Sequence, residues 1–159
     1  MSPDIILSTA VINIKDQTGK PQRCRVLLDS CSQAHFLTTN ACKRLGLTTK
    51  RVNIPLCGAN HMTSHINRTT RTKVHSRISD YTADLTFLLV DNVIQAMPSE
   101  NIDRNRLELP DKIPLAYPQF HRAAEVDSLI GAQLFWDFLC EGRVDQADKN
   151  MQLRNTALG

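Results

Sequence analysis

The residues of this sequence that could do chemistry stand together at the end of an apolar stretch. The run Val26–Leu28 leads directly into Asp29, and three small side chains follow it, Ser30, Cys31 and Ser32. A carboxylate that ends an apolar strand is costly to bury unless it is paired, hydrogen-bonded or takes part in a reaction. Asp29 could therefore act as an acid or base in hydrolysis, or it could simply be a turn residue that follows the strand.

The elements that would position Asp29 begin with a β-hairpin. Residues 8–15 alternate between apolar and polar side chains, and the Asp16–Gly19 segment supplies residues typical of a turn. A second, apolar strand is expected over residues 22–28. This strand would end directly at the carboxylate.

A short helix is expected next along the chain, over Thr39–Leu45. Thr38 or Thr39 can cap its first turn, and Gly46 stands where helices commonly end on a glycine. Alternation and apolar runs predict further strands over residues 52–56, 66–78, 81–90 and 126–130, a second helix over 132–140, and one more strand near 152–158.

The pattern of alternation is lost between residues 91 and 125. Four prolines interrupt this segment, which we therefore interpret as a long, irregular insertion. A length of 159 residues fits one domain that covers residues 1–159. The expected fold is mostly β, closed into a barrel, with one or two short helices.

Composition argues against several classes of protein. Apolar residues make up 42% of the chain, too many for a disordered protein, and the longest apolar stretch, Leu85–Val90, is far shorter than the ~20 residues that span a bilayer. The short apolar stretches therefore predict no membrane partner. The cysteines are five, an odd number without a Cys-x-x-Cys pair, which favours a reducing compartment and hence an intracellular, cytoplasmic location. The net charge of +3 is small, so no direct nucleic-acid binding is expected.

Four basic residues alternate along one predicted strand, namely Arg71, Lys73, His75 and Arg77. We interpret this basic stripe as a solvated face of the sheet.

A second motif stands about a hundred residues after Asp29. Leu129, Ile130 and Gly131 form an apolar-apolar-Gly turn that leads into the second expected helix. Together, the two motifs resemble the halves of a retropepsin-like aspartic protease subunit. In that family a strand ends in Asp-Ser/Thr-Gly, and the later turn runs beneath this catalytic loop.

The resemblance is closest to the aspartic peptidase domain of BEL/Pao-type retrotransposon polyproteins. It covers nearly the whole chain from about Leu7, and its most specific part is the Asp-Ser-x-Ser-Gln-Ala string that begins at Asp29. In that family the domain is part of a larger polyprotein, so we expect this chain to be an excised piece of one. The segments that carry the resemblance are 27–37, 44–47, 114–116, 118–120, 127–132 and 155–159.

The resemblance implies an aspartic endopeptidase that needs no cofactor and no metal. Two carboxylates that share one proton would activate water and polarise the substrate carbonyl. Because Asp127 is interpreted as structural, the chain offers one catalytic motif, and the enzyme would be a homodimer with one Asp29 from each subunit. Ser30 would then form a hydrogen bond across the dimer.

The resemblance also implies a flap that covers the substrate. The hairpin between residues 56 and 64 stands where the family has this flap, with Gly58, Ala59 and Asn60 at its tip. The substrate would be a polypeptide, namely the polyprotein of which the domain is a part. Virus-like particles are a further location that the resemblance implies.

Two positions depart from the family pattern. Cys31 replaces the glycine that usually follows Asp-Ser, and Gln133 replaces an aspartate that commonly follows the apolar-apolar-Gly-Ala string. A side chain at position 31 is expected to crowd or twist the loop. A second function therefore stays open, that of a catalytically impaired dimerisation or peptide-binding module, which would bind an extended peptide by strand addition.

Two other chemistries use the cysteines and histidines. Cys57, His61 and His65 have the spacing of metal ligands, but three residues on one hairpin without an obvious fourth are a weak zinc signal. Cys31 with His35 as its base would make a cysteine hydrolase, although nothing nearby supplies a third group. The simpler expectation is that His61 and His65 are exposed and that His35 is a partly exposed loop residue.

Overall fold

The expected hairpin forms the start of the main sheet. In a computed structural model, which describes residues 8–57, 63–93, 103–107, 109–110, 112–145 and 152–159, strand β1 (Thr9–Lys15) pairs antiparallel with β2 (Pro21–Leu28). Alternate residues of β1 are fully buried, as their period of two predicts. The hairpin is therefore confirmed almost to the residue.

Six strands close into a barrel, which confirms the expected mostly β, closed fold. The further strands are β3 (His35–Thr38), β4 (Lys50–Cys57), β5 (Thr63–His75), β6 (Thr82–Val90) and β7 (Ser128–Ile130). The order around the barrel is β1-β2-β7-β3-β6-β5, and β5 returns to pair with β1 through Ile14 and Val74. β4 pairs with the other half of the long β5 strand, outside the closed ring.

Two short helices accompany the barrel. Helix α1 (Thr39–Leu45) has the expected bounds. The Thr38 hydroxyl accepts a hydrogen bond from the Ala41 N–H at 3.1 Å, and Gly46 ends the helix in the left-handed region with φ 64°. Helix α2 (Ala132–Phe138) follows β7.

The second helix is shorter than expected. Residues 139–140, which the sequence places in the helix, begin strand β8 (Leu139–Asp145), and β8 pairs with β9 (Gln152–Thr156) in a separate two-stranded sheet. The sequence predicted one strand in this tail, near residues 152–158, whereas the structure has two. Among the described residues, no helix is long and apolar enough to cross a bilayer.

The hydrophobic core fills the barrel and includes Leu158, near the end of the chain. Leu158 is 1% exposed and belongs to the same apolar cluster as the strands. The hydroxyls of Ser76 and Ser79 hold this tail, because both donate hydrogen bonds to the Ala157 carbonyl, at 2.8 and 2.7 Å. The largest fully buried side chains are Phe87, Ile12, Ile14, Leu37, Leu45, Ile130 and Leu158.

The predicted strand over 66–78 ends three residues early. β5 stops at His75, so Arg77 and Ile78 are not strand residues, and the Ile78 side chain is 45% exposed. Arg77 is not part of a solvated basic stripe either. Its guanidinium donates hydrogen bonds to the Val11 and Ala116 carbonyls, each at 3.2 Å, where the irregular segment packs along β1.

Candidate functional site

Asp29 lies in the loop that connects two barrel strands. Residues 29–34 join β2 to β3, yet these strands are not neighbours in the sheet. β7 lies between them, parallel to β2 and antiparallel to β3. The loop must therefore pass across the end of β7, and this brings the two sequence motifs together.

Three backbone hydrogen bonds fasten this loop. The Asp29 N–H donates to the Ile130 carbonyl at 2.9 Å, and the Ala132 N–H donates to the Ser32 carbonyl at 2.8 Å. The Ser32 N–H donates to the Asp29 carbonyl at 3.3 Å, which closes the turn. The loop is thus hydrogen-bonded to the residues on both sides of Gly131, at Ile130 and at Ala132.

The Asp29 side chain is oriented by its own loop. Its Oδ1 atom accepts a hydrogen bond from the Cys31 N–H at 2.9 Å. Asp29 is half-buried, whereas Ser30 and Cys31 are exposed. The Ser32 hydroxyl donates to the Ala34 carbonyl at 2.8 Å. The loop therefore presents a carboxylate of restricted orientation at the surface, which is the requirement for a positioned acid or base.

Gly131 leaves no room for a side chain where the turn meets the loop. A Cβ atom at this position would lie 2.6 Å from both the Ala34 and Ser32 carbonyl oxygens. These are backbone atoms, which cannot rotate away as a side chain can. The glycine of the apolar-apolar-Gly motif is thus required because the loop rests directly on the turn.

His35 is a site residue that the sequence analysis misplaced. It was expected to be a partly exposed loop residue, but it begins β3 and is only 5% exposed. Its Nδ1 atom accepts a hydrogen bond from the Gly131 N–H at 3.0 Å. Alternation was the missed signal, because His35 stands two residues before the buried Leu37 and shares its face of the strand.

Burial sets the protonation state of His35. The pKa of the imidazole is lowered from its ordinary value by burial, and the Gln133 side chain opposes this shift. The ring is therefore neutral near pH 7. Cys31 is exposed while His35 is buried with Nδ1 already engaged, so the structure does not bring these two residues together as a nucleophile and base.

The other Asp-Ser pair lies at the far end of β7. The Asp127 Oδ2 atom accepts a hydrogen bond from the Arg25 N–H at 3.0 Å and lies 3.3 Å from a guanidinium nitrogen of Arg44. Arg25 stands four residues before Asp29 on the same chain segment, about 13 Å away at the rise of a strand. Asp127 thus bridges elements of the fold at a distance from the Asp29 loop.

The predicted flap tip lies outside the residues that the structure describes. Gly58, Ala59, Asn60 and His61 are not among the described residues, and neither is the side chain of Cys57. In the ranges that are described, no three His, Cys, Asp or Glu side chains are grouped so that they could hold a metal ion. The described site thus consists of the Asp29 loop and the turn beneath it.

No protein-family model matches the chain, and no curated protein matches it. The site itself consists of a half-buried carboxylate on a loop that is anchored at both ends.

Proposed function

We propose that this protein is a retropepsin-like aspartic endopeptidase of the kind found in BEL/Pao-type retrotransposon polyproteins. It hydrolyses peptide bonds as a homodimer, with one Asp29 from each subunit. The observation that carries the proposal is the Asp29 loop, which crosses the end of β7 and rests on the Leu129–Gly131 turn. This is the relation between the two motifs that the family resemblance implies.

Two features of the loop support a catalytic role for Asp29. The carboxylate is half-buried and oriented by the Cys31 N–H, so little reorganisation is needed when it reacts. The loop is also fastened to a buried turn instead of projecting freely. A binding surface alone would not require this rigidity, whereas proton transfer at a fixed distance does.

The proposed reaction needs a second carboxylate, and a second copy of the chain supplies it. Two carboxylates about 3 Å apart cannot both ionise, so the pair holds one proton. The ionised Asp29 takes a proton from water, which attacks the peptide carbonyl, while the protonated Asp29 of the partner subunit donates to the carbonyl oxygen. The exposed Ser30 hydroxyl is available for the hydrogen bond across the dimer.

The flap completes the proposed site. β4 and β5 form the hairpin whose tip would contain Gly58, Ala59 and Asn60. In the proposal this hairpin folds over an extended peptide and excludes water from the carboxylates. No metal and no cofactor takes part in this mechanism.

Cys31 favours a second candidate function. Its side chain is exposed beside the carboxylate, on the loop that the partner subunit and the substrate would approach. Within one chain the Cys31 side chain does not prevent the loop from closing, because the Cys31 N–H still donates a hydrogen bond to Asp29 Oδ1. Crowding would thus arise only on assembly, and it would leave a dimerisation or peptide-binding module that does not cut.

Replacement of Asp29 tests the choice between the two functions. Asp29→Asn should abolish cleavage of a denatured protein substrate between pH 4 and 7, because it keeps the shape of the side chain but removes its proton chemistry. Asp84→Asn is the matched control, since Asp84 is exposed on β6 and should leave cleavage unchanged. Cleavage by Asp29→Asn would contradict the proposal. Peptide binding without cleavage by the parent protein would favour the second candidate.

Mixed dimers test whether both subunits contribute. If each active site needs two Asp29 carboxylates, then an equal mixture of parent and Asp29→Asn subunits should retain about a quarter of the activity after exchange. A site made within one chain would retain about half. Sedimentation over a range of concentrations gives the dimer fraction needed for this comparison.

A further inference from the structure

We infer that His35 is a positioning residue for the proposed reaction, because its neutral imidazole holds the Gly131 turn, and through it the Asp29 loop, and releases both when it is protonated. The catalytic part of this inference rests on the proposed function. The part that concerns the turn can be measured without any activity.

The turn beneath the loop is held at three consecutive residues. The Ile130 carbonyl accepts from the Asp29 N–H, and the Ala132 N–H donates to the Ser32 carbonyl. Between them, the Gly131 N–H donates to His35 Nδ1 at 3.0 Å. His35 is thus the only side chain among these three contacts, the other two being between backbone groups. It is also the only one of the three that can titrate.

The bond from Gly131 has no simple replacement. Gly131 is buried, and the two carbonyls nearest to it on the loop side, those of Ser32 and Ala34, already accept hydrogen bonds from the Ala132 N–H and the Ser32 hydroxyl. If His35 withdrew its acceptor, the Gly131 N–H would be buried without a partner, which is costly. The turn would therefore have to move, and the Asp29 loop would move with it.

Protonation withdraws this acceptor. A neutral imidazole with its proton on Nε2 can accept at Nδ1, whereas the imidazolium carries N–H groups on both nitrogens. The Gly131 N–H would then face another donor. The Nε2 atom is buried without a hydrogen bond of good geometry among the described residues, although the Gln133 side chain lies close enough to favour the charged ring.

The surroundings of His35 offer little compensation for a positive charge. The Phe87 ring of β6 packs against it, with ring centroids 6.2 Å apart. The titratable groups on the neighbouring elements are Asp29 and Cys31 on the loop, Asp84 on β6 and Asp137 on α2. None of these contributes to the pKa of His35, which is lowered by burial and raised only by Gln133. Its protonation is thus opposed by burial and is not supported by an ion pair.

The sign of the pH effect follows from these contacts. Because the pKa of His35 is lower in the folded protein than its unfolded value of 6.5, the unfolded or opened state binds the proton more readily. The stabilisation from the neutral ring is complete above about pH 6.5. It is lost progressively as the pH falls from there through the folded-state pKa, so acid opens the Asp29 loop.

Two substitutions separate the hydrogen bond from the titration. His35→Asn places an amide oxygen near the position of Nδ1, so it keeps an acceptor that does not titrate. His35→Phe keeps a flat ring but has no acceptor. His75→Asn is the matched control, because His75 is a half-buried histidine opposite Asn13 on the outer side of the barrel.

The primary measurement is hydrogen exchange of the Gly131 amide between pH 5 and 7.5, corrected for the intrinsic exchange rate. In the parent protein and in His75→Asn, protection should fall at least about tenfold towards pH 5. In His35→Asn it should change little with pH, and in His35→Phe it should be low throughout. An unchanged pH response in His35→Asn, or parent-like protection in His35→Phe, would overturn the inference. If His35→Phe does not fold, the comparison of parent and His35→Asn decides.

The second measurement is the pH profile of peptide cleavage. His35→Phe should lower kcat about 10- to 100-fold at pH 7 with KM changed less than about threefold. His35→Asn should keep kcat at pH 7 and extend activity to lower pH than in the parent. A parent-like acid limb in His35→Asn would overturn the positioning role. If the exchange results are as expected but no protein cleaves peptides, the role of His35 in holding the turn is supported, and the proposed function is what fails.

Discussion

Replacement of Gly131 by alanine should separate the Asp29 loop from the turn beneath it. The new methyl group would lie 2.6 Å from the carbonyl oxygens of Ser32 and Ala34, much closer than carbon and oxygen atoms approach without bonding. Both oxygens belong to the backbone of the loop. The clash can thus be relieved only if the loop or the turn moves.

The cost of this movement can be worked out from the contacts that it breaks. Overpacking of a closed site costs about 1–3 kcal/mol. The shift also strains the bonds from Asp29 N–H to the Ile130 carbonyl and from Ala132 N–H to the Ser32 carbonyl, each of which contributes about 1 kcal/mol. Gly131→Ala should therefore lower the free energy of unfolding by about 3–5 kcal/mol.

Gly19→Ala is the matched control. Gly19 has φ 81° in the hairpin turn, and a Cβ atom there would meet nothing within 4 Å. Its replacement costs only the backbone strain of a left-handed alanine, about 1 kcal/mol. The two variants make the same chemical change, so their difference isolates the close packing at Gly131.

Urea denaturation followed by circular dichroism measures this difference. With a slope of about 2 kcal/mol per M, Gly131→Ala should move the midpoint down by about 2 M and Gly19→Ala by about 0.5 M. Equal shifts for the two variants, or a loss below about 1 kcal/mol for Gly131→Ala, would refute the reasoning. The loop would then not rest on the turn as described.

Three further predictions concern the cysteines and the end of the chain. Cys31→Gly should raise peptidase activity if the Cys31 side chain crowds the dimer. If the loop instead tolerates Cys31, a bulky thiol reagent should inhibit the parent protein and not Cys31→Gly. Inhibition of both proteins would contradict an effect at Cys31. Burial, with Asp127 adding to it, raises the pKa of Cys24 to about 11, so Ellman's reagent at pH 8 should modify the exposed Cys31 quickly and Cys24 only after unfolding. Fast modification of Cys24 in the folded protein would count against this burial. Leu158→Ala should lower the free energy of unfolding by about 2–5 kcal/mol in urea, and a change below 0.5 kcal/mol would show that the tail does not pack in the core.

The sequence alone determined those elements whose causes are local. The hairpin of β1 and β2 follows from alternation on both sides of a turn, and α1 follows from its cap at Thr38 and its terminal Gly46. Asp29 was identified in the same way, as a carboxylate at the end of an apolar run. These features depend on residues within a few positions of one another, so a single chain segment contains the information needed to predict them.

Partners far apart in sequence decided the rest. β7 is only three residues long, and its place between β2 and β3 depends on pairing across about a hundred residues, which no local pattern encodes. The burial of two further side chains also depends on the tertiary structure. Ile78 is apolar but exposed, because β5 ends at His75. His35 is polar but buried, because β3 joins β6 and β7. Burial and hydrogen bonding of a side chain depend on what packs against it. Only the closed barrel brings the imidazole of His35 within hydrogen-bond distance of the Gly131 N–H.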